Sequence, residues 1–159
     1  FLFTNLLRRT FRPATRIVNV TSAMHFRVDG IGFDKLTKRS ASFLGLNDYA
    51  TSKLANVLFT REMARRQPDW RTYAVHPGFV DTAIIPRWVR PFLRRTLITP
   101  AAGARTTIRC ATEASLESET GRYYTPAGQS DPSPTAMDDA LARELWTRSE
   151  RWCGIGPVD

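Results

Sequence analysis

The chain has 159 residues, 42% of them apolar and 24% charged, which excludes wholesale disorder and a collagen-like fibre and suits one domain or part of one. No apolar run approaches the ~18 residues of a membrane-spanning helix. The net charge is +8, but the arginines are spread along the chain rather than gathered on one face or tail, so they read as a solvated surface and no nucleic-acid partner is expected.

Residues 1–10 read as an amphipathic helix closed off near Pro13. The chain opens on Phe1 in what looks like mid-helix, which suggests a piece of something longer. Residues 16–21, Arg-Ile-Val-Asn-Val-Thr, form a β-branched run without clean alternation, as in a parallel strand covered on both faces. Residues 23–47 read as a long connection with a short helical turn. The strongest helix spans 49–66, with Asn47 or Asp48 to cap it. Arg65 and Arg66 suit its negative pole, and Pro68 forbids continuation. Residues 71–76 predict a second strand, stopped by Pro77-Gly78. Residues 100–114 predict a helix with Pro100 in its first turn. Residues 121–125 predict a third strand, and 136–152 a last helix carrying Leu141, Leu145, Trp146 and Trp152. This alternation argues for an α/β fold with a parallel sheet.

Chemistry concentrates on the 49–66 helix. At about 100° per residue, Tyr49, Ser52, Lys53 and Asn56 form one polar seam, opposite Leu54, Ala55 and Leu58. Tyr49 and Lys53 are neighbours at i and i+4. A free phenol is a poor base at neutral pH. An ammonium about 5 Å away favours its phenolate by roughly 3 kcal/mol at an effective dielectric near 20, less what desolvation takes back. Tyr49 would then exchange a proton with an alcohol or carbonyl. In open parallel sheets, ligands sit beyond the carboxyl ends of the strands. Thr21-Ser22 and Pro77-Gly78 end two strands on that rim. Ser22 would bond the substrate oxygen there, and Gly78 would let backbone approach a flat ligand.

Three segments carry a family resemblance: Val-Asn-Val-Thr-Ser at 18–22, Tyr-Ala-Thr-Ser-Lys-Leu-Ala-Asn-Val-Leu-Phe at 49–59, and Val-His-Pro-Gly-Phe-Val-Asp-Thr at 75–82. Together they resemble the short-chain dehydrogenase/reductase superfamily, and the retinol dehydrogenase-like branch most of all. The resemblance implies the second half of a doubly wound, Rossmann-type parallel-sheet domain across 1–159. It implies a hydride transfer between NAD or NADP and a small-molecule alcohol/carbonyl substrate, an apolar one. Tyr49 would be the general acid/base, Lys53 would hold the nicotinamide ribose, and Ser22 would polarise the substrate oxygen. Pro77, Gly78, Val80 and Thr82 would contact the nicotinamide side. A homodimer through the Tyr49 helix is also implied, and the apolar residues of 50–63 permit it.

Departures from the family pattern matter too. The Gly-rich turn that seats a pyrophosphate is absent, and Gly30-Ile-Gly32 does not replace it. Asn5 is not the family's catalytic Asn. We therefore expect about 100 or more residues upstream, judged by the size of a doubly wound domain. The rival expectation is a truncated, catalytically inactive remnant or interaction module.

The remaining features have plainer readings. His25 and His76 form no metal set, and none is expected. Asn19-Val-Thr21 spells a glycosylation site on a buried strand. Tyr123 and Tyr124 read as strand packing. Residues 87–98 form an amphipathic lid, either solvated or in peripheral contact with membrane. Cys110 and Cys153 make no disulfide framework, which favours a reducing, cytoplasmic compartment.

Overall fold

The computed structural model describes residues 1–36, 38, 45–81 and 97–156. Helix α1 (Leu2–Leu7) runs into a 3-10 turn at Arg8–Thr10. Strand β1 (Arg16–Val20) follows, then a 3-10 turn at Ala23–Arg27 and the short helix α2 (Phe33–Leu36). The long helix α3 (Leu46–Arg66) leads to β2 (Arg71–Val75). Helix α4 (Pro100–Thr112), strands β3 (Arg122–Thr125) and β4 (Gly128–Ser130) and helix α5 (Asp139–Cys153) complete the order.

The sheet order is β1-β2-β3-β4. The first two pairings are parallel, with Val20 opposite Val75 and Val75 opposite Tyr124. Strand β4 is antiparallel to β3 and was not expected from the sequence. It has three residues, too few for a periodic signal, and the one hint is the turn-like Thr125-Pro-Ala-Gly128. The architecture is the α/β kind read from the element alternation and the Rossmann-type kind the resemblance implies, with one antiparallel edge.

Period 2 along β2 and β3 divides the core. Ala74 and Tyr123 pack with Leu54, Val57, Leu58, Ala142 and Leu145 of α3 and α5. Tyr73, Val75 and Tyr124 pack with Cys110 of α4 on the other face. A third cluster joins Met63, Trp70 and Trp146.

Several local expectations need correction. Helix α3 begins at Leu46, and its N-cap is Gly45 in the left-handed region with no side-chain cap bond. Asn47 and Asp48 lie inside the first turn instead. Strand β1 is only partly buried, and Val20 is exposed, because β1 ends the sheet. Trp152 is exposed, its ring 6.4 Å from that of Phe33. Of the apolar residues of 50–63, Ala50, Leu54, Val57, Leu58 and Met63 are buried inside the chain, while Ala55 and Phe59 are partly exposed.

Candidate active site

Register fixes the site's foundation. Val20 and Val75 end their strands together, so Thr21-Ser22 and His76-Pro77-Gly78 leave from one rim. The Thr21 amide donates to the Val75 carbonyl at 2.7 Å, and the His76 amide to the Tyr124 carbonyl at 2.8 Å.

Helix α3 reaches that rim through its polar seam. Lys53 Nζ and Asn56 Nδ2 both donate to the Val20 carbonyl, at 3.4 and 3.1 Å. Thr21 Oγ1 donates back to the Lys53 carbonyl at 2.8 Å. One turn further on, Asn19 Nδ2 donates to Thr60 Oγ1 at 2.9 Å. The amide of the glycosylation-like triplet is thereby committed to the fold. The seam is partly open to solvent: Ser52 is exposed and donates to the Tyr49 carbonyl, and Tyr49 is 38% exposed. The Lys53 ammonium lies over the Tyr49 ring, 5.3 Å from its centroid. A cation over the ring face is held there by the ring quadrupole.

Ser22 caps the 3-10 turn that follows β1. Its Oγ accepts from the Met24 amide at 3.2 Å. Since a hydroxyl has one donor and two acceptor positions, its O–H is left to donate elsewhere. The Ser22 carbonyl accepts from His25 Nδ1 at 2.7 Å and from the His25 amide at 3.2 Å. Nothing in the sequence beyond the spacing of three residues signals that His25 serves this turn.

On the other strand end, Gly78 has φ +92°, a conformation that strains any residue with a Cβ. The side where a Cβ would stand faces Ile98 Cδ1 at 2.9 Å and Pro126 Cγ at 3.3 Å. That backbone conformation requires glycine there, a reason different from the ligand approach expected from sequence. Val80 forms a parallel bridge with Ile98, and its side chain is pressed against Gly103 of α4. Thr82 lies outside the described residues, as does all of the 87–98 lid except Leu97 and Ile98.

Burial shapes the ionisable groups nearby. His25 and His76 are buried, and desolvation holds both below the ordinary histidine value; mutual repulsion adds to this for His76. Burial pushes the Tyr123 phenol up to about 12 and the Cys110 thiol up to about 11. Neither would ionise in neutral solution. Both cysteines are free. Among the described residues, no cluster of His, Cys, Asp and Glu could hold a metal, and no helix is long and apolar enough to cross a membrane.

Sequence comparison decides the family. The human protein named dehydrogenase/reductase SDR family member 13 is 36% identical over 170 residues, spanning 99% of this chain and 45% of that protein. The chain belongs to the short-chain dehydrogenase/reductase superfamily. Within the superfamily it is similar to human retinol dehydrogenase 14, at 36% identity over 98% of the chain and 49% of that protein. Human retinol dehydrogenase 11 is 35% identical over 100% of the chain and 52% of that protein. The chain thus spans about half the length of the curated relatives it matches. No family model matches it. Among solved structures, an uncharacterised protein from Mycobacterium paratuberculosis superposes with TM-score 0.72 at 29% identity, over 96% of this chain and 54% of that one. A short-chain dehydrogenase family protein from Francisella tularensis shares the fold, with TM-score 0.56 at 18% identity over 77% of this chain and 53% of that one.

The residues of this superfamily member fit one end of a nicotinamide dinucleotide. The Lys53 ammonium carries three donors and spends one long bond on Val20, which leaves donors for ribose hydroxyls. The pyrophosphate end finds no glycine-rich helix start among these 159 residues.

Proposed function

We propose that the full-length protein is an oxidoreductase that moves a hydride between NAD or NADP and an apolar alcohol or carbonyl compound. The observation that carries this reading is the cross-bonding at the end of β1. Lys53 and Asn56 grip the Val20 carbonyl while Thr21 grips the Lys53 carbonyl. Those bonds hold the helical turn of Tyr49 and Lys53 against the strand end that leads into Ser22. The similar retinol dehydrogenases support a substrate of retinoid-like apolarity.

The cofactor, when bound, supplies or accepts the hydride. Ser22, its oxygen already accepting from Met24, donates its O–H to the substrate oxygen. Tyr49 gives that oxygen a proton on reduction and takes it back on oxidation. Lys53 holds the ribose with its remaining donors, and its charge beside the ring offsets the negative charge left on Tyr49. Pro77, Gly78 and Val80 would stand on the nicotinamide side in this reading, a role the family resemblance also implies for Thr82. The free cysteines accord with a reducing, cytoplasmic setting.

Replacing Tyr49 with Phe in the full-length protein tests the proposal. Reduction of retinaldehyde with NADPH and with NADH is expected to fall by about 10²–10⁴-fold in kcat. Quenching of protein fluorescence on cofactor binding is expected to persist. Undiminished turnover in Y49F would overturn the reading.

A further inference from the structure

We infer that His25 is a positioning residue for Ser22, acting through the Ser22 carbonyl; this deepens the reading above and rests on it. His25 is completely buried. Its Nδ1 lies 2.7 Å from the Ser22 carbonyl, which can only accept. Its Nε2 receives the Ser133 amide at 3.1 Å, a donor that requires an acceptor. The two partners therefore define one neutral tautomer, with the proton on Nδ1. The ring is further held edge-on to Tyr123 of β3, at 5.1 Å between centroids.

This arrangement spans the molecule. Ser133 starts the turn before α5 and is itself buried, with its Oγ accepting from the Ala136 amide at 3.3 Å. A segment 108 residues downstream thus anchors the imidazole that fixes the carbonyl of Ser22. The Ser22 carbonyl takes the short 2.7 Å bond from the imidazole beside a longer 3.2 Å bond from the His25 backbone amide, so losing the imidazole bond leaves only the weaker restraint on a rotation that would re-aim the hydroxyl. The Met24 bond to Ser22 Oγ spans a single turn and would not by itself resist the motion.

Two substitutions separate the two bonds. The amide nitrogen of Asn stands near the position of Nδ1, so His25→Asn keeps the donor to Ser22 and loses the acceptor for Ser133. The longer Gln reaches the Nε2 position, so His25→Gln keeps the acceptor for Ser133 and loses the donor to Ser22. In the full-length protein, with retinaldehyde and reduced cofactor, H25N is expected within about threefold of the parent kcat, and H25Q about tenfold or more below it. Cofactor KM should not change in either. In a Ser22→Ala background, H25Q should cost less than about twofold further, because residues acting as one unit are not additive.

Glutamine no worse than asparagine, or a full additional loss from H25Q in S22A, would overturn the positioning role while leaving the proposed reaction standing. Full turnover by S22A itself would overturn the role of Ser22 and this inference with it. If H25Q does not fold, H25N decides: kcat near the parent supports the inference, and a tenfold loss overturns it.

Discussion

Thr21, His25 and His76 are small polar or titratable groups sunk in apolar surroundings, and each is tolerated for its own reason. Thr21 is buried with its hydroxyl spent on Lys53 and its amide on Val75. A net bond of this kind contributes about 1 kcal/mol, but leaving the hydroxyl unpaired would cost more. His25 satisfies both ring nitrogens, whereas His76 Nδ1 is buried with no hydrogen-bond partner among the described residues. Both imidazoles are favoured neutral by burial. The folded-state values lie below the unfolded one, so the folded chain binds fewer protons as pH falls. Their contribution to stability is present above about pH 6.5 and is lost as pH falls through the folded-state values. Urea midpoints measured from neutral to mildly acid solution should therefore drop below about pH 6.5, and replacing His76 with Gln should flatten that drop. An unchanged slope in H76Q would show that His76 is not its source.

Helix α3 owes its orientation to its apolar side. Leu54, Val57 and Leu58 are almost wholly buried, and each contributes about 1.5–3 kcal/mol on leaving water. The polar bonds of the opposite seam are worth about 1 kcal/mol each. The core therefore sets the rotation, and the seam falls on the end of β1 as a consequence. The far end of α3 is fixed differently from expectation. Arg65 and Arg66 do more than complement the dipole: both bond Glu62, whose carboxylate is nearly buried, and Arg65 also pairs with Asp139 of α5. Helix α4 is located by a close approach. A methyl built on Gly103 would overlap Val80 Cγ2 and stand 3.2 Å from Cγ1. Gly103→Ala should gain about 1 kcal/mol of helix propensity but lose about 1–3 kcal/mol to overpacking, since the branched Val80 has little freedom to turn away. A melting temperature lower by a few degrees is expected; a higher one would contradict the packing seen here.

At the scale of the molecule, helices cover both faces of the sheet, and β1 stands at its edge with β2 as its strand partner. The chain spans about half of each curated relative. In the proposed function Lys53 would serve a ribose, while the 159-residue sequence carries no glycine-rich turn for a pyrophosphate. Titration of NADH or NADPH into the 159-residue chain by itself should give weak binding or none, the outcome shared with the reading of an inactive module. Tight binding would mean that the nicotinamide end suffices, contrary to the division of labour argued above. The separating experiment for the two readings is turnover by the full-length protein and its loss in Y49F.

Periodicity, caps and breakers were legible for the long elements because those are local effects. The run 16–21, the helix through 66 and the stop at Pro77 follow from residues within a few positions of one another. The Tyr49–Lys53 pairing was legible for the same reason, since i and i+4 meet on any helix. The true start of α3, the three-residue strand β4 and the exposure of Trp152 depend on neighbours remote in sequence, and so were not legible. The same holds for the bond from Ser133 to His25. In each case the deciding atoms meet only once the sheet has closed and brought distant segments into contact. Sequence alone thus determined that Tyr49 and Lys53 share one helix face; folding decided what holds that face against the end of β1.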